Sequence, residues 1–255
     1  MGHSQRFCVI AQARTGSEYL TTRLNEHPEI ACHRELFNRH TVYSALTGEF
    51  KARLPSIEER DAQPLVALEQ VAALSDQAFP AKRLFGFKLF LKHHPDVRQH
   101  VRADPRYRLI VLERGNKLAQ FVSTQTARTT GQWTALATKG GEPKVTGKGG
   151  AAADAAPAAI EVDIDHLARF VELSTKRYAN FNQRIAGRAG VMHLQSETLD
   201  ERFVEVLEFL GVDVSPELRI VRLRQNPTPL ATRVSNWEAV VAWLDRHGHA
   251  DWTAG

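Results

Sequence analysis

The feature that most constrains the fold is an apolar run near the N-terminus that stops abruptly before a helix. Residues 6–13 (RFCVIAQA) predict a buried strand, and residues 17–28 (SEYLTTRLNEHP) carry leucines one turn apart, which predicts a helix. Only Arg14, Thr15 and Gly16 connect the two. A buried strand that passes through a short turn into a helix is the first half of a βαβ unit, and such units build parallel sheets.

The rest of the chain continues this alternation. Apolar runs predict three further strands, at 83–91, 107–113 and 190–195. Helical periodicity predicts further helices at 116–131, 163–187 and 200–211. Gly86 weakens the second strand, and residues 39–80 look helical and surface-like. Residues 138–160 are rich in Gly, Ala, Lys and Pro, which predicts a mobile loop. We therefore expect an α/β protein with a parallel sheet, as a single domain over residues 1–255.

Composition limits the classes of function. The 255 residues carry a formal net charge of +4, without the clustered Lys and Arg typical of a nucleic-acid partner. No run approaches the ~18 apolar residues of a membrane span, and no secretory signal is apparent. The two cysteines, Cys8 and Cys32, form no CxxC motif, so we expect a reduced, cytoplasmic protein. No metal site is expected, since His93 and His94 would point to opposite faces of a strand.

The turn after the first strand, residues 14–17, has the composition of an anion-binding loop. Ligands of parallel sheets bind beyond the carboxyl ends of the strands, where a helix that starts at Ser17 directs its free N–H groups. Gly16 permits a tight turn, and Arg14 adds a guanidinium fork. Thr15 and Ser17 add hydroxyl donors. The alternative is that Ser17 is only an N-cap and Arg14 a solvated loop residue. The Walker A motif is absent, so a kinase would lack its usual phosphate and metal contacts.

A second polar set follows the strand at 107–113. Arg114 stands at the entrance of the next helix. Asn116, Gln120 and Ser123 share one stripe of that helix, opposite an apolar stripe. The stripe is short and uncharged, which favours a second phosphate held by Arg114 and Ser123. The alternative is an ordinary solvent-facing stripe.

Four segments together resemble the sulfotransferases that use 3′-phosphoadenosine 5′-phosphosulfate (PAPS). ARTGSEYLTTRLNEHPEI is similar to their 5′-phosphosulfate loop and its helix, and LIVLERGNKLAQFVSTQTARTTGQW is similar to their 3′-phosphate segment. HLQSETLDERFVEVLEFLGVDV resembles a later strand and helix of the family. LRQNPTPLATRVSNWEAV resembles the C-terminal segment of bacterial carbohydrate and rhizobial nodulation-factor sulfotransferases. The similarity runs in order over nearly the whole chain.

This resemblance implies a three-layer, P-loop-NTPase-like parallel sheet of four or five strands. It also implies PAPS across the carboxyl edge, with 3′-phosphoadenosine 5′-phosphate (PAP) as product. The positions that match the 5′ loop are Arg14, Thr15, Gly16, Ser17, Glu18 and Tyr19. Arg114 and Ser123 match the pair that holds the 3′-phosphate, although they stand one residue farther apart than in much of the family. If Gly115 does not absorb the extra residue, Arg114 points elsewhere.

Sulfuryl transfer needs a cation near the leaving phosphate and a base for the acceptor hydroxyl. Arg14 is the expected cation, and Lys88 could assist or simply extend from its strand to solvent. Glu35 is the expected base, since similar carbohydrate sulfotransferases carry a glutamate there and half-burial would raise its pKa toward neutrality. Glu35 could instead, or in addition, form a structural ion pair. Its candidate partners are Arg14, Arg34 and Arg39.

The remaining candidates have looser placements. His33 and His93 are reserve bases, and Trp133 could stack on a sugar ring or anchor a helix end. Three arginines near the C-terminus could close over the nucleotide: Arg222, Arg224 and Arg233. We expect a PAPS-dependent sulfotransferase that acts on a carbohydrate or glycolipid, with its oligomeric state open. The alternatives are a small-molecule kinase and a non-catalytic nucleotide-binding module.

Overall fold

The structure is a computed structural model that describes residues 5–131, 134–137, 143–146, 159–214 and 229–254. The chain divides into two compact units. The sheet unit is drawn from Met1–Glu113 and Tyr178–Arg219, and the helical unit from Arg114–Arg177 and Ile220–Gly255. The single domain expected over residues 1–255 stays a prediction.

Strands and helices alternate through most of the chain. In chain order the described elements are β1 (Gln5–Ala11), α1 (Ser17–Glu26), β2 (Ile30–Cys32), α2 (Gly48–Ala52), α3 (Ile57–Ala62), α4 (Pro64–Ala78), β3 (Leu84–Phe90), α5 (Pro95–Ala103), β4 (Tyr107–Glu113), α6 (Lys117–Thr130), β5 (Thr134–Ala137), β6 (Pro143–Thr146), α7 (Ile164–Arg184), β7 (Val191–Gln195), α8 (Phe203–Leu210), α9 (Leu230–Arg233) and α10 (Trp237–Arg246). The four predicted strands are present as β1, β3, β4 and β7. The predicted helices are present as α1, α6, α7 and α8, and α2, α3 and α4 lie within the stretch 39–80 that was expected to be helical. The elements that were not predicted are β2, α5, β5, β6, α9 and α10.

The sheet unit is built on five parallel strands in the order β2-β3-β1-β4-β7. Alternate residues of the central strand β1 enter two different apolar cores. Phe7 and Val9 belong to one core, and Cys8 and Ile10 belong to the other. Because both faces of the sheet are covered, its strands read as continuous apolar runs. The predicted fold class is therefore confirmed: a three-layer, P-loop-NTPase-like α/β fold with a parallel sheet flanked by helices.

Gly86 lies inside β3 and does not interrupt it, because Phe7 of β1 covers it. The two residues are register partners on adjacent strands. A Cβ atom at Gly86 would lie only 2.1 Å from the Phe7 ring, which is itself fully buried. The aromatic ring fills the space that a side chain at residue 86 would occupy, so the glycine is required by packing across the strands.

Tyr178, near the C-terminal end of α7, connects the carboxyl ends of β1 and β4 within the sheet unit. Its hydroxyl donates to the Leu112 carbonyl at 2.6 Å and accepts the Gln12 N–H at 3.1 Å. The side chain is buried, and burial raises its pKa far above the ordinary value. One hydroxyl therefore satisfies two backbone groups at the point where the two strands end.

Tyr178→Phe is expected to lower the free energy of unfolding by about 1–3 kcal/mol, because it deprives the buried Leu112 carbonyl and Gln12 N–H of this partner. Urea unfolding followed by tryptophan fluorescence measures the loss. Tyr43→Phe is the matched control, since Tyr43 is 40% exposed and should be nearly neutral. Equal stability of the wild type and the Tyr178→Phe variant would contradict this role for the hydroxyl.

The helical unit contains α6, most of α7, α9, α10 and the two-stranded antiparallel sheet β5-β6. Its apolar core includes Leu118, Phe121, Leu167, Leu230 and Trp243. The β6 strand lies inside the range 138–160, so four residues of the predicted mobile loop are extended and paired. Residues 138–142 and 147–158 lie outside the described residues. No helix in the described parts of the chain combines the length and apolar character needed to cross a membrane.

Candidate active site

The turn between β1 and α1 is built on two residues with left-handed backbone conformations. Arg14 has φ 66° and Gly16 has φ 76°, and such values are uncommon outside glycine. Gly16 is the N-cap of α1, and its carbonyl accepts the Leu20 N–H at 3.0 Å. Ser17 is therefore the first helical residue, and the alternative that it is the N-cap is wrong. The first N–H groups of α1 have no intrahelical partner, so this end of the helix attracts anions.

Two side chains of this segment engage their hydroxyls in other contacts. Thr15 Oγ1 donates to the Gln12 carbonyl at 2.9 Å, and Thr15 is fully buried. The Tyr19 hydroxyl donates to Asp200 Oδ1 at 2.6 Å, and burial together with this bond raises the pKa of Tyr19 to about 12. The Thr15 hydroxyl is thus engaged within the turn, and its contact with an anion stays a prediction. This hydroxyl stabilises the turn that presents Arg14 and the N–H groups.

Lys88 of β3 is buried between two carboxylates. Its side chain is 2% exposed, so the alternative in which it extends to solvent is wrong. The Lys88 Nζ atom lies 2.8 Å from Glu18 Oε2 and 3.1 Å from Glu35 Oε1. The other oxygen of Glu18 forms an ion pair with Arg34 Nε. These contacts bring the start of α1 and the candidate base to one ammonium group. No sequence signal pointed to the Glu18 contacts, because their partners are distant in sequence.

Glu35 lies in the loop after β2, with its carboxylate held from several sides. Besides Lys88, the Asn38 amide donates to Glu35 Oε2 at 2.8 Å, and His93 Nε2 lies 3.9 Å from the same oxygen. Burial acts to raise the pKa of Glu35, but the Lys88 charge and the Asn38 hydrogen bond outweigh it and leave the pKa lowered. The expected rise in this pKa is therefore wrong, and the ion-pair partner is Lys88 rather than an arginine. Glu35 is ionised at neutral pH, which is the form a base requires.

The two reserve histidines are unsuited to the role of base. His93 Nδ1 accepts the Phe90 N–H at 3.2 Å, which leaves the proton of a neutral ring on Nε2, facing Glu35. Burial lowers the pKa of His93 to about 4, so the ring is neutral at physiological pH. His33 is fully buried, and its ring nitrogens contact the Ala45 N–H and the Ser75 hydroxyl. Neither histidine offers an acceptor nitrogen to a substrate, which leaves Glu35 as the candidate base.

The helical unit contains the second predicted polar set. Asn116 caps α6 by accepting the Ala119 N–H at 2.8 Å, and it also donates to the Trp252 carbonyl at 2.8 Å. Gln120 and Ser123 are buried, so the alternative of a solvent-facing stripe is wrong for these two residues. Arg114, at the entrance of the helix, is half-buried.

Arg233 adds a buried cation to the helical unit. It is 8% exposed, and no carboxylate among the described residues forms an ion pair with it. Its guanidinium lies 3.5 Å from Thr126 Oγ1, which is one turn beyond Ser123 on α6. Burial lowers the pKa of Arg233, because a charged guanidinium is costly to remove from water. Three other predicted candidates, Trp133, Arg222 and Arg224, lie outside the described residues.

No protein-family model matches the sequence, and no curated protein matches it. Among solved structures, a sulfotransferase from Alicyclobacillus acidocaldarius is similar at 17% identity and a TM-score of 0.47, over 97% of this chain and 98% of that chain. Sulfotransferase STF9 from Mycobacterium avium is similar at 10% identity and a TM-score of 0.45, over 97% of this chain and 76% of that chain. Mouse sulfotransferase SULT7A1, complexed with PAP, is similar at 12% identity and a TM-score of 0.41, over 84% and 61% of the two chains. These identities and TM-scores are too low to transfer a function from those proteins to this chain.

Proposed function

We propose that this protein is a sulfotransferase that moves a sulfuryl group from PAPS to a hydroxyl of a carbohydrate or glycolipid. The observation that carries the proposal is the buried Lys88 ammonium, which contacts Glu18 at the start of α1 and Glu35 in the loop after β2. It puts a cation and an ionised carboxylate beside a helix N-terminus at the carboxyl edge of a parallel sheet. An anionic donor and an acceptor hydroxyl both find their required partners there.

The turn after β1 is the proposed site for the 5′-phosphosulfate. The N–H groups at the start of α1 and the guanidinium of Arg14, a half-buried residue, provide donors for its oxygens. Of the residues that match the family's 5′ loop, Gly16 and Ser17 contribute through the backbone. Thr15 contributes through its bond to the Gln12 carbonyl.

The helical unit supports a second anion site. We assign the 3′-phosphate of the donor to Arg114 and Ser123, as the sequence resemblance implies. Arg233 supports the assignment, because a buried guanidinium without a carboxylate partner among the described residues is suited to a ligand's negative charge. Thr126 lies beside that guanidinium and on the same helix as Ser123.

In the proposed reaction, the acceptor oxygen attacks sulfur as its proton passes to the Glu35 carboxylate. The bond between sulfur and the bridging oxygen breaks, and the electron pair stays on the phosphate of PAP. Arg14 and Lys88 are the cations available for the charge that develops on that oxygen. Sulfate carries less charge than the γ-phosphate of ATP, so these side chains can supply the electrostatic stabilisation.

Nucleotide binding gives the first test. At a concentration 100 times the dissociation constant, PAP is expected to stabilise the fold by about 2.7 kcal/mol, which raises Tm by about 5–10 °C. Ser123→Ala is expected to reduce this shift, because it removes a proposed phosphate contact. Thr129→Ala, on the exposed side of the same helix, is the control and should keep it. Protection by ATP with Mg²⁺ but not by PAP would favour the kinase alternative and contradict the proposal.

Turnover gives the second test. Incubation with ³⁵S-labelled PAPS and a panel of saccharides and glycolipids should label at least one acceptor. Binding of PAP without transfer to any hydroxyl-bearing acceptor would instead support the non-catalytic nucleotide-binding module.

We further propose a cytoplasmic location, which the cysteines support. Cys8 and Cys32 are both unpaired and buried, and burial raises the pKa of each thiol well above its ordinary value. Thiols of this kind resist oxidation and are typical of a reducing compartment.

A further inference from the structure

The Lys88 ammonium is shared by two carboxylates that have different tasks in the proposed reaction. Glu18 belongs to the first turn of α1, in the proposed donor site, and Glu35 is the proposed base. The two distances are similar, at 2.8 Å to Glu18 Oε2 and 3.1 Å to Glu35 Oε1. The ammonium therefore divides its interaction between the donor side and the acceptor side of the site.

Glu18 also contacts a second cation through the carboxylate oxygen that does not face Lys88. Glu18 Oε1 forms an ion pair with Arg34 Nε, so the charges alternate along Arg34, Glu18, Lys88 and Glu35. Lys88 is buried, and a buried charge that loses one partner strengthens its interaction with the remaining partner. Each member of this series consequently affects Glu35, including members that do not contact it.

We propose that Glu18 is a positioning residue, which holds Lys88 between the donor site and Glu35 and thereby limits how strongly the ammonium acts on the base. This inference rests on the proposed sulfotransferase function. It gives the Glu18 carboxylate a role toward Lys88 rather than a contact with the phosphosulfate, whose own negative charge would repel it.

Apart from Lys88, the groups that act on Glu35 in the described part of the chain are the Asn38 amide and His93, and neither changes its charge near neutral pH. The Asn38 amide donates from the same loop, and His93, beyond β3, is neutral. Arg60 of α3 acts on His93 and donates to the Leu36 and Asn38 carbonyls. The pKa of Glu35 is therefore expected to depend mainly on how strongly Lys88 interacts with it, and Glu18 competes for that interaction.

Two substitutions should shift the pKa of Glu35 in opposite directions. Glu18→Gln leaves Lys88 with Glu35 as its ionised partner, so the pKa of Glu35 is expected to fall by about one pH unit. Lys88→Met removes the cation, so this pKa is expected to rise by at least about one pH unit. A base works only when ionised, and activity is lost as the pH falls through its pKa. The acid limb of kcat should therefore move to lower pH in Glu18→Gln and to higher pH in Lys88→Met.

The experiment is an NMR titration of the Glu35 side-chain carboxyl carbon in the ligand-free protein, followed by pH profiles of kcat. Glu29→Gln is the matched control, because Glu29 pairs with Arg83 outside this series and should leave the titration unchanged. If Lys88→Met does not fold, Arg34→Gln replaces it. Glu18 then holds Lys88 more strongly, and the pKa of Glu35 should rise.

Shifts of Glu35 in the same direction in both variants, or no shift in folded Glu18→Gln, would overturn the inference. The titration needs neither donor nor turnover. Opposite shifts without any sulfate transfer would support the positioning role while rejecting the proposed function. Sulfate transfer without opposite pKa shifts would support the proposed function while rejecting the positioning role of Glu18.

Discussion

Replacing Glu35 with glutamine is expected to lower kcat for sulfuryl transfer by about 10²–10⁴-fold, the usual contribution of a general base. Glutamine keeps the size of the side chain but cannot take a proton from the acceptor hydroxyl. The measurement is turnover of labelled PAPS at saturating acceptor. Since neither histidine near the site offers a free acceptor nitrogen, no neighbouring side chain is expected to restore the lost rate.

The same variant should still bind the donor. Thermal protection by PAP should match the wild type, which separates loss of chemistry from loss of the fold. Glu49→Gln is the control, because Glu49 is exposed on α2 and should leave kcat unchanged. Near wild-type turnover by the Glu35 variant would remove this residue from the role of base.

Gly86→Ala is expected to lower the free energy of unfolding by about 3 kcal/mol, at the upper end of the cost of overpacking a core. The new methyl group would lie within 2.1 Å of the Phe7 ring, and Phe7 is fully buried in the core on that face of the sheet. The ring cannot move away without displacing its neighbours. Urea unfolding of the variant and the wild type measures the difference.

A double-mutant cycle tests the assigned cause. Phe7→Leu alone should destabilise the protein by leaving a cavity. Combined with Gly86→Ala, it should cost less than the sum of the two single changes, because the smaller side chain makes room for the methyl group. If the two losses of stability simply added up, the destabilisation by Gly86→Ala would not come from a clash with the Phe7 ring.

The sequence predicted the parts of the fold that depend on local patterns. Four strands were found because buried parallel strands are long apolar runs. β2 was missed because three residues, Ile30–Cys32, are too few to show a pattern. α5 was missed because it follows two histidines and opens on Pro95, a start that tolerates proline but lacks a distinctive cap. Gly86 was taken as a weakness of its strand because the ring that covers it comes from another strand.

The candidate site shows the same limit. Arg14, Gly16 and the start of α1 were predicted because strand, turn and helix are adjacent in sequence. The burial of Lys88 was not predicted, since it depends on Glu18 and Glu35, which the fold brings to it from other elements. The direction of the pKa shift at Glu35 was wrong for the same reason. A general expectation of burial predicts a raised pKa for Glu35. The Lys88 charge that lowers this pKa instead comes from a single tertiary contact, which the sequence does not reveal.

The central position of the first strand also has a consequence for biosynthesis. Gln5 pairs with Leu84 and Arg6 pairs with Tyr107, so β1 has no neighbouring strand until β3 has been synthesised. During that time the nascent protein carries an exposed apolar segment, Phe7–Ala11, with its strand edges open. Such pairings between distant segments fold slowly and invite association with other chains. Productive synthesis at high expression levels is therefore expected to depend on chaperones that shield this segment.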